Sequence, residues 1–395
     1  MATTLEARLA AGPAVAGLPV LRSGHRLFFL GAAVYGAGAL FFWLLALAGL
    51  LPLDAAWHGH ELIWGFAAAA IAGFLTAAVP KWTQSALFAG LPAASLFALW
   101  AAGRVAMATG GPAWLDVAFL PVMAAVVFRR LWRARNRRNF QIAALIFALA
   151  ACNAAWHAGW TTGASRAAVL LIVALIVLIG GRIVPGFTRN ALLARGLPGG
   201  NIGRDERLEP WLVPGVVLLA AIELAAPQHP AAAALAVVLA AALAWRARHF
   251  GMLRAADQPI VLVLHLGHAF LPLGLLLWGA AGLLTPAGLP FSASAGLHAL
   301  TAGGIGGMIV AVASRAARGH AGLPLVASRA TVVAYGLIFG GAVLRVGFAL
   351  AAPLLQGGGR DGLLLAGALW ALGWVVFGLE HAPMLLRGRR DGLPG

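Results

Sequence analysis

Apolar runs long enough to cross a membrane alternate in this chain with short loops, and the cations fall almost entirely in every second loop. A helix needs about 20 apolar residues to cross the hydrocarbon core of a bilayer. Runs of that kind lie near 27–50, 60–80, 86–108, 113–131, 140–160, 167–188, 210–226, 231–246, 259–281, 291–314, 329–352 and 363–386. Of 28 Lys and Arg, 23 sit in the N-terminal segment, beside the loops after even-numbered runs, or in the C-terminal tail. The other set of loops holds two, Arg166 and Arg360, and only Arg104, Arg182 and Arg345 lie inside runs away from their ends. Loops rich in Lys and Arg stay on the cytoplasmic side. The expected fold is all-α: a polytopic membrane protein of twelve transmembrane helices with both termini cytoplasmic. Residues 1–26 form a cytoplasmic N-terminal segment, 27–386 the transmembrane domain and 387–395 a cytoplasmic tail. The run at 210–226 is short and contains Pro214.

Composition narrows the class. Hydrophobic residues make up 62% of the chain and charged residues 10%, more apolar surface than a soluble domain can hide. The net charge of +16 lies in loops between apolar runs. It suits an anionic lipid face, such as the six Arg from Arg129 to Arg138, and not nucleic acid. Cys152 is the only cysteine, which excludes an internal disulfide and a cysteine-based zinc or iron–sulfur site. No cleavable signal is visible before Arg22.

The runs repeat with a period of four. Trp132-Arg133-Ala134-Arg135, Trp245-Arg246-Ala247-Arg248 and Leu386-Arg387-Gly388-Arg389 close runs 4, 8 and 12. Val79-Pro80-Lys81-Trp82-Thr83, Val184-Pro185-Gly186-Phe187-Thr188-Arg189 and the stretch from Val310 to Arg315 close runs 2, 6 and 10. Arg104-Val105 and Arg345-Val346 recur in runs 3 and 11. Three four-helix pseudo-repeats about an axis along the membrane normal account for this spacing. Chance is the competing account, because Trp-Arg is common at a cytoplasmic boundary.

Histidines inside apolar runs need a reason, and a metal or haem supplies one. His58 and His60 lie two apart at the outer start of run 2. In a helix they point to opposite sides, and both face one site only if Gly59 is not helical. Glu61 is placed to hold an imidazole through its second nitrogen. His265 and His268 share a face of run 9. His298 lies about seven residues inside run 10, roughly 10 Å deep at the helical rise, and appears level with His268. Ala302 and Gly306 below it leave a slot for a flat macrocycle, or else for close helix packing. His157 and His381 are weaker candidates, and His25, His229, His249 and His320 read as solvated. The haem assignment pairs His298 with His268 or His60, with Arg104 or Arg345 on the propionates. Copper takes the remaining members of His58, His60, His265 and His268. Glu223 lies at the depth of Arg104 and Arg345 and can neutralise one of them.

The segment from His58 through Glu61, Gly65 and Phe66 to Gly73-Phe74-Leu75-Thr76-Ala77-Ala78-Val79-Pro80-Lys81-Trp82-Thr83 resembles the second helix of the NnrS family. The opening Arg26-Leu-Phe-Phe29-Leu30 is similar to that family as well. In place of the expected Asn-Trp-Thr-Gly, this chain has Lys81-Trp82-Thr83-Gln84. The resemblance implies a haem- and copper-containing protein of the bacterial inner membrane that answers nitric-oxide stress. Nitric oxide is its expected ligand, an electron donor an expected partner, and nucleic acid is not. One rival is an enzyme that reduces nitric oxide, given a similarity to the catalytic subunit of haem–copper oxidases. Another is a secondary transporter with buried His and Arg in its path.

Overall fold

The computed structural model describes residues 18–203, 205–289, 291–352 and 359–389. Most of the N-terminal segment and the last six residues of the expected tail lie outside them. Twelve main helices stand among the described residues. They are α1 (Gly24–Leu47), α2 (Ala55–Thr83), α3 (Gly90–Thr109), α4 (Ala113–Val117 and Phe119–Arg133), α5 (Phe140–His157) and α6 (Thr161–Leu193). Then come α7 (Glu209–Ala225), α8 (Pro230–Ala247), α9 (Pro259–Leu284), α10 (Ala293–His320), α11 (Arg329–Ala351) and α12 (Arg360–Leu386).

Ten of these are long and apolar enough to cross a bilayer; α4 and α7 fall short. Helix α4 breaks at Ala118. Pro121 has no N–H to give Val117, so the ladder cannot run straight through. Helix α7 has only 17 residues, with Pro210 in its first turn and Pro214 inside. Elsewhere local chemistry fixes the ends. The Asp54 side chain accepts from Trp57 N (2.8 Å) to open α2, and Ser328 Oγ accepts from Thr331 N (3.1 Å) to open α11.

The four-helix period is visible in the packing. Helices α1–α4, α5–α8 and α9–α12 each pack among themselves, and the contacts α4–α5, α8–α9 and α12–α1 close the three units into a ring. The second helices α2, α6 and α10 meet one another at the centre. Their most apolar stretches are 67–78% buried, against 33–56% in the other spanning helices. The Val79, Val184 and Val310 echoes therefore lie on the three inner helices, all of them buried. The Trp132, Trp245 and Leu386 echoes end the outer ones. Beyond the Val310 echo, Arg315 of α10 lies over the Phe187 ring of α6, 4.0 Å from its centre.

Helices α2 and α10 share one irregularity. Each has six α-helical residues, ending at His60 or His298, followed by seven in a π-helical turn, Glu61–Ala67 or Ala299–Ile305. Such turns hold one residue more than an α-helix and concentrate at functional sites. Helix α6 has no such turn.

Candidate functional site

Gly59 is helical, so His58 and His60 diverge. His60 faces a closed polar cluster near the start of α2 in the first unit. Its Nδ1 lies 2.7 Å from Glu61 Oε1, and its Nε2 lies 3.1 Å from Asp116 Oδ2 and 3.2 Å from Asn153 Oδ1. His157 Nε2 lies 2.8 Å from the same Asp116 oxygen, which also accepts from Asn153 Nδ2 (2.9 Å). Arg104 donates to both Glu61 oxygens (2.8 and 2.9 Å) and pairs with Asp116; Tyr35 donates its hydroxyl to Glu61. One ligand atom each from His60, Asp116 and His157 lies within 4.8 Å of the others. A carboxylate cannot donate, so each nitrogen of His60 presents either a proton or a cation to its carboxylate. Glu61 behind a ligating imidazole is the arrangement that fixes a metal-bound histidine.

His58 faces the opposite way, into a cavity of about 550 Å³ bounded by α1, α2, α6, α10, α11 and α12. That size suits an organic ligand. The His58 ring stacks on Trp43 (4.8 Å, 15°), and its Nδ1 is buried without a partner. His298 lines the same cavity. Its Nδ1 donates to the Ser294 carbonyl (2.8 Å), which leaves Nε2 as the free ligand atom. Gly59 and Ala302 leave wall space, whereas the Trp370 ring fills the slot at Gly306.

Charge divides the three units. In the first, Glu61 of α2 meets Arg104 of α3. The second reverses the signs: Arg166 of α6 donates to Glu223 (2.6 and 3.2 Å), which also accepts from Trp278 Nε1 (2.9 Å). In the third, Arg345 of α11 donates to Ser294 Oγ (2.8 Å), and no carboxylate among the described residues pairs with it. It lines the cavity beside His58 and His298. A cation at membrane depth needs an anion.

Several sequence expectations change here. Glu223 serves Arg166, not Arg104 or Arg345, because α6 begins at Thr161 and lifts Arg166 out of the loop. His268 is not level with His298. Gly267 packs on Met308, whereas Trp278 packs on Gly296, so His268 lies about eight to nine residues, roughly 13 Å, deeper. It rests edge-on against Phe250 (5.1 Å) with both ring nitrogens unpartnered. His265 Nε2 lies 2.9 Å from the Thr188 hydroxyl. His25, expected to be solvated, is buried with Nδ1 2.8 Å from Ser23 Oγ. His381 donates from Nδ1 to the Phe377 carbonyl (2.9 Å). Asp116, Asn153 and Tyr35 were not among the sequence candidates. For Asp116 the signal was present: an acid inside an apolar run.

These features define a polytopic membrane protein with a buried His–carboxylate cluster and a separate histidine-lined cavity in the same half of the bundle. The chain belongs to the NnrS protein family, whose match spans residues 19–389. That membership makes it a membrane protein of the nitric-oxide response, in a family associated with metal binding. No curated protein matches the chain.

Proposed function

We propose that this is an inner-membrane haem and copper protein that binds or removes nitric oxide and relieves nitrosative stress. The observation that carries the reading is the cavity of about 550 Å³: two imidazoles and one uncompensated guanidinium face a space walled by aromatic and aliphatic side chains. Haem asks for this combination of imidazole nitrogen, an apolar enclosure and cations for its propionates. His58 and His298 are the residues to hold it, with Arg345 on a propionate, in place of the pairs His298–His268 and His298–His60. Bound there, the iron supplies the site that takes up the gas.

The donor set of His60, His157 and Asp116 fits copper or another borderline divalent metal. Glu61 fixes the His60 ring, and Arg104 holds both carboxylates in place. In this reading twelve passes leave both termini in the cytoplasm, and the two sites lie toward the outer face. The electron donor docks from outside the chain described here.

The test is an optical spectrum with metal analysis on detergent-purified protein from cells supplied with iron and copper. We expect a haem spectrum that His298→Ala and His58→Ala remove, and copper that His157→Ala removes while haem stays. A colourless preparation with neither metal overturns the proposal and favours a transporter. Turnover of nitric oxide with a supplied reductant separates an enzyme from a binding protein.

A further inference from the structure

The three inner helices leave a second space between them. It measures about 80 Å³ and is walled by apolar side chains alone, among them Phe74 of α2, Ile176, Ile179 and Ile183 of α6, and Ile309 and Val312 of α10. It lies on the axis about which the three units are arranged. Ile172 of α6 and Ile305 of α10 line both this hollow and the histidine-lined cavity. The two spaces are therefore divided by two side chains, 2% and 4% exposed.

We propose that this axial hollow binds a small uncharged gas molecule and passes it to the cavity between Ile172 and Ile305; the second half rests on the gas-binding reading above. Close-packed interiors hold few voids larger than a water molecule. Water gains nothing here, since it needs two to four polar partners and the walls supply none. A diatomic gas forfeits little hydration on entry and gains dispersion contacts with the apolar walls. Apolar hollows of this kind stay dry and take up xenon. The stiff branched side chains of the isoleucines keep the walls from folding inward. At Gly180 the wall is open enough that an added Cβ would meet Ile176 and Met308 at 3.5 Å, ordinary contact. The partition is placed to respond to the cavity's contents. Ile305 is the last residue of the π-helical turn that starts directly after His298, and such turns concentrate at functional sites.

Xenon is the probe, because its binding needs neither haem nor nitric oxide. In crystals of the whole protein under xenon pressure, anomalous density is expected between Ile176, Ile179 and Ile309. Its absence, or xenon confined to lipid-facing grooves, overturns the hollow as a binding site. The double change Ile176→Phe with Val312→Phe should lower xenon occupancy at least tenfold. It should also slow gas rebinding after photolysis severalfold while leaving the haem spectrum as it was. Ile305→Ala should speed rebinding. If xenon binds and both rates stay at the wild-type value, the hollow is no route to the cavity. Should the protein carry no haem, xenon density still decides the hollow, so the two proposals fail separately.

Discussion

The first and third units carry the same scaffold, at the starts of α2 and α10, to opposite outcomes. Each has a histidine closing a short α-helical stretch, a π-helical turn directly after it, and an arginine on the next helix. In the first unit the residue after the histidine is Glu61, and Arg104, Asp116, Asn153, His157 and Tyr35 fill the surroundings. In the third unit the corresponding residue is Ala299, Arg345 meets no carboxylate among the described residues, and a cavity of about 550 Å³ opens beside it. Two acids, Glu61 and Asp116, close the network around Arg104, whereas Arg345 faces an open space.

Four substitutions sharpen or break this contrast. The largest effect belongs to His298→Ala, which should abolish haem absorbance without unfolding the protein; an unchanged spectrum removes His298 as a ligand. Arg104→Met leaves Glu61 and Asp116 buried without their cation. It should lower stability by about 3–5 kcal/mol, read as thermal unfolding in detergent. The matching Arg345→Met removes a cation that pairs with no acid among the described residues. Stability of the haem-free protein should hold or rise, while haem retention drops by about tenfold or more, the worth of one charge-assisted contact. Equal melting losses for the two arginine variants would erase the contrast. Smallest is Trp278→Phe in the second unit. It removes one donor from Glu223 and should cost about 1 kcal/mol with haem and copper contents unchanged.

Much of the fold was legible because its signals are local or periodic. The alternation of long apolar runs and Arg-rich loops marked the helices, and the Val-Pro and Trp-Arg echoes marked units of four. Burial of Val79, Val184 and Val310 on the inner helices follows from those echoes. Opposite faces for His58 and His60 follow from helical geometry once Gly59 is helical.

The site was less legible, because partners distant in sequence are chosen by helix ends and tilts. Reading Arg166 as a loop residue hid its bond to Glu223, since α6 starts six residues before the apolar run. Counting depth from each helix end set His268 beside His298; the packing of Gly296 on Trp278 shows how far that count drifts. Asp116 joins His60 across 56 positions of chain, and no spacing rule links them.

The π-helical turns have a consequence for tolerance to deletion. Each holds a surplus residue over an ordinary helix. Removing one residue from 61–67 or 299–305 would let the turn relax into an ordinary helix, with everything beyond it close to its present facing. The same loss from the corresponding part of α6 has no surplus to draw on and would swing everything beyond it by about 100°. That half of α6 would then present the wrong edges to α2 and α10 along the axis, so single-residue loss should be far more damaging there than in the two π-helical stretches.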